Sequence, residues 1–155
     1  YEEKFKQILQ EFKQKGVEGL ITGDIYEVAN HEKHWLERVC EEVGLIPIRP
    51  LWQLDTKKIF KDYILEGFKS TVVRTKLSAL DEKWLGRELN QQFYNDIQKY
   101  PQVDPCGEGG EYHTVVTDGP NFKNAIKLIK TQISTTSQYG HLDILQFDVV
   151  PKQLR

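Results

Sequence analysis

The sequence predicts an α/β fold in two parts: a parallel sheet with helices packed on it over residues 1–78, followed by a smaller α+β module over residues 79–155. Three observations predict it. Apolar runs at 17–22, 45–51 and 69–77 alternate with helical patterns at 1–15, 31–43 and 55–66, which is the βαβ order of a parallel sheet with short connections. Past residue 79 that alternation stops, and β-rich segments at 112–117, 125–133 and 142–149 follow one another instead. A chain of 155 residues that is 39% hydrophobic can bury a core of that size and is too apolar to stay disordered.

The elements follow in order. Phe5, Ile8, Leu9 and Phe12 recur at helical spacing, and Gly16 ends that helix. The run 17–22 has the continuous apolar character of a buried parallel strand, and Thr22-Gly23-Asp24 closes it. Trp35, Leu36, Val39 and Val43 form the apolar side of the next helix, with Gly44 as its stop; His31 and His34 on it have no partner at ligand spacing and read as surface residues. Asp55 is the expected N-cap of the helix through 66, Ile59, Tyr63 and Ile64 face inward, and Gly67 lies beyond its end. In the second part Asp81 reads as a cap, Trp84 as a packing anchor, and Phe93, Tyr94 and Ile97 as the buried side of a helix over 90–99. Gly119-Pro120 and the polar stretch 134–140 separate the last three strands.

Composition excludes several classes of function. The 21 basic and 23 acidic residues give a net charge of -2 with no basic tract, which argues against direct nucleic-acid binding. Cys40 and Cys106 have no Cys-x-x-Cys partner, so neither a disulfide framework nor a structural metal site is indicated, and the cytoplasm is the default compartment. No apolar run approaches the roughly 20 residues of a membrane span.

One stretch has the make-up of a site: Pro105-Cys106-Gly107-Glu108-Gly109-Gly110-Glu111-Tyr112-His113-Thr114. Its glycines permit a turn at positive φ and let a ligand approach the backbone, Glu108 and Glu111 bring two carboxylates to it, and the strand that follows anchors them. The backbone N–H groups of Gly107, Gly109 and Gly110 are candidates to cradle a phosphate or an acyl oxygen. His113 alternates with Glu111, so both are expected on one side of the strand; a hydrogen-bonded structural histidine is the equal alternative. Gly23 and Asp24 stand just past the carboxyl end of a parallel strand, where ligands of open α/β sheets sit, although a helix cap explains them as well.

Five segments, in order, carry a resemblance: Thr22-Gly23-Asp24-Ile25, Leu36-Glu37-Arg38-Val39-Cys40, Pro50-Leu51-Trp52, Leu80-Asp81-Glu82-Lys83-Trp84-Leu85-Gly86-Arg87, and the glycine-rich stretch ending at Thr114. Each is weak alone; together they resemble the diphthine-ammonia ligase family of N-type ATP pyrophosphatases, over about residues 10–125. The resemblance implies a Rossmann-like nucleotide-binding domain followed by a substrate module, ATP with Mg2+ as cofactors, and a reaction in which a carboxylate is adenylated and ammonia then attacks it to give an amide. It implies diphthine on elongation factor 2 as the carboxylate substrate, and a homodimer is left open. Trp35 in its helix and the Glu111-Tyr112-His113-Thr114 ending are closer to bacterial members, for which the carboxylate would differ. Amidation of a small-molecule carboxylate and a non-catalytic nucleotide-binding module therefore both stay open.

In that reaction Glu108, Glu111 and His113 are the catalytic candidates, since a carboxylate or imidazole must take a proton from the attacking nitrogen. Gly23 and Asp24 are the nucleotide-binding candidates, and Arg87, Gly107, Gly109, Gly110 and Thr114 the substrate-binding ones, Arg87 through a bidentate pair with a carboxylate or phosphate. The family's phosphate-gripping Ser-Gly-Gly-Lys-Asp-Ser loop does not occur among these 155 residues, so the chain by itself is expected to be incomplete for activity. It is accordingly expected to bind ATP weakly or not at all; a calorimetric titration giving micromolar affinity would mean that the nucleotide site lies elsewhere on the chain.

Overall fold

Glu2–Gln14 forms the first helix, α1, because its apolar residues line one side, and Leu9 is the one it buries fully. The computed structural model describes residues 1–26 and 35–152; His31, His34 and the start of the expected 31–43 helix lie outside them. The chain divides into two compact units, Tyr1–Leu54 and Asp55–Arg155.

In the first unit α1 is followed by β1 (Gly19–Ile21), α2 (Trp35–Val43) and β2 (Ile46–Ile48), and β1 and β2 pair in parallel, Leu20 opposite Pro47. Leu9 packs with Leu36, Val39, Cys40, Val43 and Leu45. Around this core Glu2 ties the two helices together: Arg38 donates to both of its oxygens at 2.8 and 2.7 Å, and the Trp35 indole donates at 2.8 Å. Lys6 reaches Glu2 at 2.6 Å and Glu42 at 2.5 Å. Arg38, then Lys6 and Trp35, hold the Glu2 carboxyl well below the usual carboxylate range. At β2 the observed strand is shorter than the expected 45–51, since the chain turns at Pro50.

The second unit holds α3 (Thr56–Leu65), β3 (Lys69–Lys76), a single 3₁₀ turn (Glu82–Trp84), α4 (Gln91–Ile97), β4 (Tyr112–Asp118), β5 (Asn124–Thr135) and β6 (Tyr139–Pro151). Asp55, Asp81 and Asn90 cap its three helical segments, accepting from the N–H groups of Lys57, Lys83 and Phe93 at 2.9, 3.1 and 2.9 Å. The strands form one antiparallel sheet in the order β4-β3-β6-β5. The α/β class stands, but the expected third parallel strand does not: residues 69–76 pair antiparallel with β4 and β6, and the division between units falls after Leu54 rather than after residue 78. The physical reason is visible in β3 itself, where Ser70, Val72 and Thr75 are buried and the intervening residues are not. A strand covered on one side only belongs in an antiparallel sheet, whereas parallel strands are covered on both.

The covered side faces α3, α4 and the 3₁₀ turn. Val72 and Tyr112 meet Phe60, Trp84, Phe93, Tyr94 and Ile97 there, with Phe93 edge-on to Trp84 at 5.1 Å and to Tyr112 at 5.5 Å. Trp84 is the anchor expected of it. Arg87 is part of the same packing: its guanidinium lies 4.4 Å from the Trp84 ring and donates to Asp96 at 2.7 Å. One nitrogen of the Arg87 guanidinium thus fastens α4 to the loop after the 3₁₀ turn. Among the described residues no helix is long and apolar enough to cross a membrane.

Hydrogen bonds from Lys99, then Arg87 and Gln92, hold the Asp96 carboxyl well below its ordinary range. A depressed carboxyl contributes stability that is whole above its unfolded value of about 3.9 and is lost as pH falls toward the folded value. Arg87→Gln is therefore expected to lower the melting temperature most near neutral pH, with the gap to the parent narrowing below about pH 4. Melting curves across that range check this, and a gap independent of pH would reduce Arg87 to its ring contact.

Candidate functional site

The turn that the sequence singles out is built by backbone bonds. The Gly107 N–H donates to the Asp104 carbonyl at 2.9 Å, and the Gly110 N–H to the Gly107 carbonyl at 2.9 Å. Gly107 and Gly110 have φ of 77° and 75°, which side chains rarely adopt. These two N–H groups are spent inside the turn, so they do not cradle a ligand as expected; of the three glycines considered, only Gly109 remains for that role.

Gly109 is required for another reason. A Cβ there would stand 2.6 Å from Glu111 Oε1 and 2.8 Å from its Cδ. The Glu111 carboxylate is folded beneath the turn, 8% exposed, with Oε1 accepting from the Asp104 N–H at 3.1 Å. Its other oxygen, Oε2, is buried with no hydrogen-bond partner. The Lys76 N–H donates to the Glu111 carbonyl at 2.8 Å and fixes the backbone of this residue to the end of β3. Glu108, in contrast, is exposed at the tip.

Two residues the sequence reading did not single out hold the approach to the turn. Asp104 accepts from the Thr56 hydroxyl at 2.7 Å through Oδ2 and from the Cys106 N–H at 2.8 Å through Oδ1. The Cys106 thiol donates to the Thr56 carbonyl at 3.3 Å, so the first turn of α3 and the 104–106 segment are stitched at two points, and the Cys106 N–H bond to Asp104 closes the segment on itself. Burial, then the charges of Asp104, Glu108 and Asp55, push the Cys106 thiol up to about 12, so it stays protonated at neutral pH and is no nucleophile. The Tyr112 hydroxyl donates to the Pro105 carbonyl, and burial raises its titration as well. The signal for Asp104 is its place before Pro105 in a turn; that for Thr56 is its place beside the Asp55 cap.

His113 does not share the Glu111 environment. Strand alternation begins at Tyr112, which is buried, so His113 is exposed on the opposite face while Glu111 belongs to the turn. Thr114 is half-buried in β4 opposite Val72. In the other unit Gly23 and Asp24 follow β1, held by the Thr22 N–H on the Ile48 carbonyl at 3.0 Å, with the Asp24 N–H 3.4 Å from the Thr22 hydroxyl. Among the described residues nothing lies within 4 Å of where a Gly23 Cβ would stand. No group of three or more His, Cys, Asp or Glu arranged to hold a metal occurs among the described residues.

The family model of the diphthamide synthase C-terminal domain matches residues 55–150, and that of the diphthamide synthase N-terminal domain matches residues 1–47. The chain belongs to the diphthamide synthase family. The two matches meet near the division between the two units, leaving Asp55 as the first residue of the C-terminal domain. Among curated relatives, a diphthine-ammonia ligase of Schizosaccharomyces pombe is 33% identical over 119 residues, covering 76% of this chain and 19% of the relative. The Bos taurus diphthine-ammonia ligase is 31% identical over 124 residues, 78% of this chain and 46% of the relative. The Homo sapiens one is 30% identical over 120 residues, 76% and 44%. The chain thus spans less than half the length of each of these three relatives.

Gly109→Ala is expected to destabilise the second unit by about 1–3 kcal/mol, the usual cost of forcing a methyl into filled space, because the Glu111 carboxylate cannot retreat without losing the Asp104 N–H. Urea denaturation measures it. A change within error would mean that the carboxylate has another place to go.

Proposed function

We propose that this chain carries the substrate end of an ATP-dependent ligase that joins ammonia to the carboxylate of diphthine. Family membership and the printed activity of the relatives support the reaction class; the observation that carries the residue assignment is Glu111, a buried carboxylate with one oxygen held by the Asp104 N–H and the other without a partner. An unpartnered buried carboxylate oxygen is costly unless a ligand donor meets it, and an attacking ammonia nitrogen is such a donor.

ATP, when bound, supplies the adenylyl group that makes the carboxylate a good acylating agent. Gly23 and Asp24 are the residues of this chain proposed to hold it, since they stand just past the carboxyl end of the parallel strand β1, where ligands of open α/β sheets sit. Glu111 orients the nitrogen through Oε2 and takes its proton as the new C–N bond forms and the acyl bond to AMP breaks, with AMP leaving, while its backbone stays pinned by the Lys76 N–H. Glu108 at the exposed tip attracts the ammonium ion, which gives its first proton to solvent. Gly109 keeps the space into which the carboxylate folds. A protein substrate of the translation machinery would place the reaction in the cytoplasm.

The test is ATP-dependent amidation, followed as pyrophosphate release and as amide formation on diphthine-bearing elongation factor, by protein that carries these residues together with the phosphate-gripping loop. Glu111→Gln, which keeps size and removes charge, is expected to cut turnover by roughly 10² or more with folding unchanged, and Glu108→Gln to have the smaller effect. Near-parental turnover in Glu111→Gln would leave the turn a structural feature.

A further inference from the structure

The sheet face turned away from the helices carries a second grouping, on which the reaction above makes no demand. Arg74 of β3 is directly opposite His113 of β4 and also directly opposite His141 of β6. Opposed residues of an antiparallel pair share a face, so the three side chains form one row about 10 Å long across three strands. They line a groove of about 440 Å³ together with Val73, Val115 and Ile144.

Arg74 is the member that lacks an explanation. Its guanidinium carbon lies over the Tyr139 ring, 3.9 Å from the ring centre, and its Nε is buried with no hydrogen-bond partner. Arg38 pairs with Glu2 and Glu42, Arg49 with Glu37 and Arg87 with Asp96; among the described residues Arg74 alone of the arginines has no carboxylate. The acid that lines the groove is Asp143, and the Ser134 hydroxyl donates to its Oδ2 at 2.8 Å. A half-buried guanidinium seated over a ring presents its remaining N–H groups as a fork, the shape that matches two oxygens of a carboxylate or phosphate. Imidazoles on both sides add a donor each.

We propose that Arg74, His113 and His141 form an oxyanion-binding site that takes the phosphoryl or carboxylate group of a small ligand. Tyr139 holds the fork in place, and Val73, Val115 and Ile144 give the groove apolar walls beside it. His113 thus belongs with Arg74 rather than with Glu111. The site needs neither ATP nor diphthine, so it can be tested apart from the reaction.

The experiment is an amide NMR titration of the 155-residue chain with inorganic phosphate and, separately, with acetate, at ionic strength held constant with sodium chloride. Saturable shifts centred on residues 74, 113 and 141 are expected, and the anion that saturates first identifies phosphoryl or carboxylate as the preferred group. Arg74→Gln is expected to weaken binding about tenfold or more, while Lys130→Gln, the same charge change on exposed β5, leaves it unchanged. Should Arg74→Gln fail to fold, the paired substitution His113→Gln and His141→Gln decides, with an expected loss of similar size. Shifts that rise linearly for both anions, equal losses in Lys130→Gln and Arg74→Gln, or unchanged binding in the double histidine variant would each overturn the proposal.

Discussion

A carboxylate cannot be taken out of water without donors, and the buried Glu111 side chain sets the terms for everything around it. One donor is the Asp104 N–H; for it to arrive, the chain must reverse between 104 and 111, and the reversal must leave a hollow beneath itself. Gly109 is that hollow, since any Cβ there would overlap the carboxylate, and Gly107 and Gly110 supply the positive φ angles that bring the chain back. Three glycines in this turn therefore serve two separate needs, space at one position and backbone conformation at the other two. Ordinary turn chemistry would need neither Gly109 nor a buried acid.

The donor is itself held. Asp104 is fastened to α3 through the Thr56 hydroxyl, and Cys106 returns a bond to the same residue's carbonyl, so the turn inherits its position from the start of a helix. That helix packs Phe60 on Phe93 at 5.7 Å and on Tyr94 at 5.4 Å, and Phe93 in turn touches Tyr112, the first residue of the strand leaving the turn. The aromatic cluster thus grips both ends of the 104–112 segment, through α3 on one side and β4 on the other. Arg87 and Asp96 lock the helix that carries Phe93, which is a positional service to the carboxylate although neither residue is near it in sequence.

Much of this was legible because it is local. The caps at Asp55 and Asp81, the stops at Gly16, Gly44 and Gly67 and the buried Phe93, Tyr94 and Ile97 follow from short-range pattern, and the structure has them. The strand over residues 69–76 was misplaced because its partners, β4 and β6, come some forty and seventy residues later, and only the alternation of its own buried residues, Ser70 and Val72, betrays an open face. Asp104 and Thr56 were missed for the same kind of reason: their bond spans 48 positions, and neither residue type announces a partner at that distance. Arg74 looked like any polar strand residue, since its row with two histidines exists only once two strand registers are set.

The two faces of β4 divide the chemistry between them. Tyr112 points to the helices and ties the strand to the aromatic core, so the residue just before it, Glu111, is carried into a dry, fixed place. His113, one residue further on, must then point the other way, because successive strand residues alternate. A buried acid and an exposed imidazole two positions apart would share a side only if the strand began at Glu111. Its start at Tyr112, with Glu111 still in the turn, is what separates the carboxylate proposed to take a proton from the row of Arg74 and two histidines proposed to bind an anion. One short segment thereby serves two surfaces without bringing opposite charges together, where they would neutralise each other.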